Sequence, residues 1–136
     1  MRTRLIHLIY ALFCVIFVLG YSASTAFTPT TELRVSILDV GQGDAIYIEA
    51  PNGRTMLIDG GPRGTLVAPL KAAQTIPKKH IDVFVLTNPD ADHFAGILDL
   101  MKTYSIGAVI ESGTRSTSKS YQSFDRLVTE EKIPRL

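Results

Sequence analysis

The 136-residue chain is 46% hydrophobic and 20% charged, which is typical of one folded domain and excludes a disordered chain. Fourteen basic and thirteen acidic residues give a formal net charge of +1, which excludes the strong basic field of a general nucleic-acid-binding protein. Any contact with DNA would have to be local. The basic cluster Lys78-Lys79-His80 is more typical of a solvated turn before a strand than of a phosphate site.

The N-terminal segment has the features of an export signal. Arg2 and Arg4 precede an apolar stretch from Leu5 to Leu19, and Ser24-Thr25-Ala26 supplies the small residues that a signal peptidase needs. The alternative is an uncleaved membrane anchor, although this stretch is shorter than the roughly 20 residues that span a bilayer. We therefore predict a signal peptide over residues 1–26, a secreted or periplasmic location, and membrane contact through this segment alone.

The single cysteine, Cys14, lies inside the apolar stretch. The rest of the chain therefore has neither a disulfide nor a thiolate metal ligand. Residues 27–31, with Pro29, predict a short linker, and we place the domain at residues 32–136.

The first part of this domain predicts an antiparallel meander. Apolar residues alternate with polar ones from Leu33 to Val40, and the alternation ends at the turn Gly41-Gln42-Gly43. A second apolar run, Ala45 to Ile48, is closed by Pro51-Asn52-Gly53, and Met56-Leu57-Ile58 forms a third strand.

After Asp59-Gly60-Gly61-Pro62 the pattern changes to helices alternating with strands. The predicted elements are a helix over 66–73, a buried strand from Ile81 to Leu86, a helix over 94–104, a strand over 108–111, a loop over 112–120 and a helix over 119–132. The predicted fold class is therefore α/β, an α+β layered fold with helices packed on a mixed sheet.

The segment Asn88-Pro89-Asp90-Ala91-Asp92-His93 brings an amide, two carboxylates and an imidazole to a strand-to-helix loop. Oxygen and nitrogen donors so placed can bind a divalent metal, and the spacing suits two metals better than one. The alternative is structural: Asn-Pro opens a turn, and Asp92 caps the exposed amides of the helix that follows. From spacing alone both interpretations stay open.

Two further carboxylates, Asp39 and Asp59, end strands just before glycines. An Asp in this position is typically a turn former. Its functional alternative is a carboxylate that orients a metal ligand, which requires that these turns meet the loop at 88–93.

Three motifs in register resemble the metallo-β-lactamase domain of ComEC-type competence proteins and their secreted relatives. They are Leu38-Asp39-Val40-Gly41-Gln42-Gly43-Asp44-Ala45, Leu57-Ile58-Asp59-Gly60-Gly61, and Leu86-Thr87-Asn88-Pro89-Asp90-Ala91-Asp92-His93-Phe94-Ala95-Gly96. The resemblance covers residues 33–134 and implies the N-terminal half of an αββα sandwich with a metal site at one edge. It leads us to expect a fragment or a decayed homologue, because the family's later ligands are not in this sequence.

The resemblance also implies the roles of individual residues. Asp92 and His93 match ligands of the family's second metal, and Asp90 matches a ligand of the competence-type branch. Asn88 stands where the family has a histidine, and an amide is a weaker zinc ligand than an imidazole. Asp92 and Asp59 are the candidate catalytic residues.

Two functions follow as expectations. The first is a metal-dependent hydrolase, using zinc or manganese, that acts on DNA or on another phosphodiester or ester. The second is a noncatalytic secreted remnant or binding module of the same fold. A third arrangement, in which two chains complete one another's half-sites, also stays open.

Overall fold

The computed structural model describes residues 7, 10, 12–15 and 32–136. The predicted signal peptide at 1–26 and linker at 27–31 lie outside these residues, apart from the few positions just named. None of the helices among the described residues combines the length and the hydropathy that a membrane-spanning helix requires.

The domain consists of five strands and four helices in residues 32–136. The strands are β1 (Arg34–Ile37), β2 (Ile46–Glu49), β3 (Thr55–Ile58), β4 (His80–Leu86) and β5 (Ser105–Glu111). The helices are α1 (Val67–Ala73), α2 (Ala91–Phe94), α3 (Ile97–Leu100) and α4 (Lys119–Glu130). This order confirms the predicted α/β class with helices on a mixed sheet.

The strands form one sheet in the order β1-β2-β3-β4-β5. Strands β1, β2 and β3 are antiparallel neighbours, as the meander predicted, whereas β3, β4 and β5 are parallel. Next to β5, Arg135 forms an isolated parallel bridge with Val109. The parallel arrangement brings the carboxyl ends of β3 and β4, and the loops that follow them, to one edge of the sheet.

The hydrophobic core lies between one face of the sheet and the helices. Phe84 of β4 is fully buried and packs edge-on against Phe124 of α4, with ring centroids 5.9 Å apart. Phe94 contacts both Phe124 and Tyr121, at centroid distances of 5.8 and 6.0 Å. These aromatic contacts attach α4 and the end of α2 to the sheet.

The predicted helix over 94–104 is wrong in its limits and in its continuity. The helical region starts three residues earlier and is divided into α2 and α3 at Ala95 and Gly96. The division has a physical reason: the carbonyl of His93 accepts from Gly60, and the amide of Gly96 donates to Gly61. Both groups would otherwise take part in the ladder of a continuous helix.

Other limits differ by a few residues. The alternation of apolar and polar residues predicted a first strand that reaches Val40, but β1 ends at Ile37. Leu38 and Val40, which continue the alternation, are buried in the loop that follows. The strand predicted at 108–111 begins at Ser105, and the last helix ends at Glu130 rather than 132.

Candidate functional site

The three loops that carry the sequence motifs meet at the carboxyl edge of the sheet. Backbone hydrogen bonds join them: Gly60 N donates to the carbonyl of His93 (2.6 Å), Gly61 N to Asp44 (3.0 Å), and Gly96 N to Gly61 (2.9 Å). The turn after β1, the turn after β3 and the loop after β4 are therefore one connected unit. The condition set by the sequence, that these turns meet the loop at 88–93, is fulfilled.

Two glycines permit this close approach. Gly43 has a φ of +74°, and a Cβ on it would stand 1.8 Å from the carbonyl oxygen of Asp92. A Cβ on Gly96 would stand 2.1 Å from the carbonyl oxygen of Gly60. Because both obstacles are backbone atoms, a larger residue at either position would push the loops apart.

Asp59 is the central carboxylate of this unit. It is 2% exposed and has a φ of +54°, which is uncommon for a residue with a side chain. Its Oδ1 accepts from Thr87 N (2.9 Å), and its Oδ2 accepts from Thr87 Oγ1. The same Oδ2 lies 3.1 Å from Nδ1 of His93. Both carboxylate oxygens therefore have protein partners, which suits Asp59 to orient neighbouring groups.

His93 is held in one orientation by this carboxylate. A hydrogen bond from Nδ1 to Asp59 raises the pKa of His93, and the nearby charges of Asp59, Asp92 and Asp44 raise it further, although partial burial opposes them. In the neutral imidazole, an Nδ1 proton donated to Asp59 leaves the lone pair on Nε2. Metal-binding histidines use this arrangement, in which a carboxylate fixes the tautomer and the opposite nitrogen binds.

Asp92 lies in the first turn of α2, and Asp90 occupies the N-cap position without a capping hydrogen bond from its side chain. The alternative in which Asp92 precedes the helix and caps it is therefore wrong, because the helix begins one residue before it. The charge of Asp92 is near enough to His93 to raise its pKa. The structure thus brings Asp92, His93 and Asp59 together.

Asn88 and Asp90 are bonded to each other. Nδ2 of Asn88 donates to Oδ2 of Asp90 (3.0 Å), and the amide of Asp90 donates to Oδ1 of Asn88 (3.3 Å). These two hydrogen bonds lie within the loop after β4. Asn88 therefore shapes the turn and also contacts Asp90, one of the candidate metal ligands.

Asp39 has the role of a turn former, since its Oδ1 accepts from Gly41 N at 3.2 Å.

Two other residues of the unit were missed by the sequence argument. Thr87 contributes both its amide and its hydroxyl to Asp59, and Asp44 contributes a charge and a carbonyl. Their positions inside the first and third motifs were the available signal, but no spacing rule distinguishes them from ordinary loop residues.

These donors fit a divalent metal in kind, but not in number. The imidazole of His93 and the carboxylate of Asp92 are suitable ligands, and Asp59 holds the imidazole as such a site requires. However, the described residues contain no group of three or more His, Cys, Asp or Glu side chains that could hold a metal ion. A complete site needs a further ligand beyond this arrangement.

Comparison with known proteins agrees with the motifs. No curated protein matches the chain. The family model described as metallo-beta-lactamase superfamily matches residues 38–126, which is well over half of the sequence and contains all three converging loops. Proteins of this superfamily typically bind divalent metals, and the mixed sheet with its helices is consistent with part of the metallo-beta-lactamase fold. The chain belongs to the metallo-beta-lactamase superfamily.

Proposed function

We propose that this domain acts in metal-dependent hydrolysis of a phosphodiester, as a member of the competence-type branch of the superfamily. The observation that carries the proposal is the contact between Asp59 Oδ2 and His93 Nδ1 at 3.1 Å. A buried carboxylate that fixes a partly exposed histidine leaves Nε2 available to a ligand. Membership of the superfamily supports the metal, and the three motifs support the branch.

The side chains have distinct roles in this proposal. His93 and Asp92 would hold the metal, and Asp90 would join them after releasing its hydrogen bond from Asn88. Asp59 orients His93 and, through Thr87, fixes the start of the loop. When bound, a divalent metal such as zinc or manganese supplies Lewis acidity and lowers the pKa of water.

The substrate proposal is a phosphodiester, either DNA or a smaller molecule. The near balance of fourteen basic and thirteen acidic residues favours recognition at the site itself over attraction by a general basic surface. A small diester is therefore the appropriate first substrate, because it tests the chemistry without requiring a DNA-binding surface.

The test uses the full chain with bis(4-nitrophenyl) phosphate, with zinc or manganese and with a chelator. We expect metal-dependent hydrolysis that His93→Ala and Asp92→Ala each reduce by at least about 100-fold, a loss of the size expected when a catalytic metal is no longer held. His80→Ala is the matched control, since this half-exposed histidine lies at the other end of β4. Turnover that survives both site variants, or is unaffected by chelation, would contradict the proposal.

A second candidate function is a noncatalytic binding module of the same superfamily. The mutual hydrogen bonds of Asn88 and Asp90 favour it, because they engage a candidate ligand in the turn. This candidate predicts a folded chain without hydrolysis under any divalent metal. It further predicts that Asn88→His increases zinc affinity, because an imidazole replaces an amide at a position beside Asp90.

The cellular location is a separate proposal. We propose that the segment at 1–26 directs export and is then removed, on the basis of its charged start, apolar centre and small residues. Mass spectrometry of the protein recovered from an exporting host should then find an N-terminus close to residue 27. Recovery of the intact N-terminus in the membrane fraction would support the anchor instead.

A further inference from the structure

A groove of about 390 Å³ lies between α3 and α4. We call it the α3–α4 groove. Its floor is apolar, because Leu98 and Met101 are buried and Leu127 is a partly buried residue that packs against the core. Its rim is polar and is formed by Arg63, Lys102, Ser123, Arg126 and Glu131.

The rim carries more positive than negative charge. Nζ of Lys102 lies 2.7 Å from Oδ1 of Asp99, and Nη1 of Arg63 lies 3.7 Å from the same oxygen. Two cations therefore share one carboxylate. The third cation, Arg126, forms none of the salt bridges found among the residues that the structure describes. Three cations thus stand against two carboxylates, those of Asp99 and Glu131.

From the apolar floor and the cationic rim together, we infer that the α3–α4 groove binds a small organic anion. The apolar part of the ligand, a ring or a short chain, covers Leu98 and Leu127, since removal of their surface from water favours binding. Its carboxylate, sulfonate or phosphate group pairs with Arg126, because a guanidinium group binds such anions through two parallel hydrogen bonds.

The dimensions of the groove favour a small molecule over a peptide. Its volume lies within the range of about 300–1,000 Å³ that is typical of small-ligand sites. The wall formed by α3 and the turn after it, residues 97–102, rises only about 9 Å, which is less than two turns of a helix. A ring system of two fused rings fits this length, whereas a peptide helix of several turns does not.

The groove is separate from the candidate metal site. None of its lining residues belongs to the loops that surround Asp59 and His93, apart from Arg63, which follows the turn after β3. The inference therefore does not depend on the proposed hydrolysis.

The experiment follows the backbone amide resonances of the full chain by NMR during titration with naphthalene-1-sulfonate. Naphthalene-1-methanol, which has the same ring system without the charge, is titrated in parallel. The amides of Met101, Lys102, Ser123 and Leu127 report on the groove, so binding of the ring to apolar surface elsewhere is recognised by its position.

Two variants test the two halves of the inference. Arg126→Gln removes the unpaired cation, and Lys119→Gln, which removes a charge from the same helix outside the groove, is its control. Ser123→Phe fills the groove, and Gln122→Phe places the same ring on an exposed neighbouring position of α4.

We expect naphthalene-1-sulfonate to shift the groove amides with a dissociation constant of about 1 mM or lower, the strength that a molecule of this size allows. Arg126→Gln should raise this constant by at least about threefold, and Ser123→Phe should abolish the shifts, while both control variants bind as the unaltered chain does.

Three results would overturn the inference. The first is the absence of saturable shifts in the groove amides. The second is equal binding of naphthalene-1-methanol, or equal binding by Arg126→Gln, because the groove would then not recognise an anion. The third is a response of the groove amides to an acidic peptide or to anionic vesicles but not to the sulfonate, which would assign the groove to a larger partner.

Discussion

The two ends of the parallel strands β3 and β4 carry the same combination of side chains. At the carboxyl end, Asp59 accepts from the amide and hydroxyl of Thr87 and contacts His93. At the amino end, Asp82 accepts from the amide and hydroxyl of Thr55, and one of its oxygens lies 4.0 Å from a nitrogen of His80.

Burial and loop convergence distinguish these ends. The side chain of Asp59 is 3% exposed, against 31% for Asp82, and that of His93 is 22% exposed, against 45% for His80. Among the residues that the structure describes, backbone hydrogen bonds join three loops around the pair only at the carboxyl end. The residue types alone therefore do not make a candidate site; enclosure of the carboxylate by converging loops does.

The largest expected effect concerns the packing of these loops. Gly96→Ala would place a methyl group 2.1 Å from the carbonyl oxygen of Gly60, so we expect a loss of about 3 kcal/mol or more in the free energy of unfolding. Gly41→Ala is the control, because that Cβ meets nothing within 4 Å and only its φ of +79° is unfavourable, at about 1 kcal/mol. Urea denaturation measures both. Equal losses would show that the loops do not depend on the close contact.

Removal of the two carboxylate charges compares the ends directly. Asp59→Asn replaces the buried charged acceptor of the hydrogen bonds from Thr87 and His93 with an amide that matches them poorly, so we expect a loss of about 2–3 kcal/mol in the free energy of unfolding. Asp82→Asn should cost about 1 kcal/mol or less, because water can reach that side chain. A larger loss for Asp82→Asn in urea denaturation would reverse the distinction.

A smaller effect is expected in the titration of His93. Its pKa should lie above the ordinary value, and Asp59→Asn should lower it, whereas Asp82→Asn should leave it unchanged. Because the folded-state pKa is raised, the stabilisation is full below about pH 6.5 and declines as the pH rises through the folded value. NMR titration of the imidazole protons measures this pKa. A value that Asp59→Asn does not change would rule out the carboxylate as its main cause.

The sequence predicted the α/β class, the meander and the position of the candidate loop, because each depends on local apolar periodicity or turn residues. Boundaries at Gly96 were not predictable in this way, since the break in the helix comes from hydrogen bonds to a turn more than thirty residues earlier. For the same reason Thr87 and Asp44 were missed. From the residue pattern, Asp59 was predicted to orient a metal ligand only if its turn met the loop at 88–93. The contact between Asp59 and His93 shows that the turn and the loop meet.

The most direct test of the account is zinc titration of the full chain, observed through the imidazole nitrogens of its histidines by NMR. The account predicts that zinc shifts Nε2 of His93 while Nδ1 stays protonated against Asp59, and that Asp59→Asn weakens binding about 10- to 100-fold. His80→Ala and Asp82→Asn should have no effect on this binding. Zinc that binds first at His80, or that leaves His93 unperturbed at saturation, would contradict the assignment of the site to the carboxyl end of the sheet.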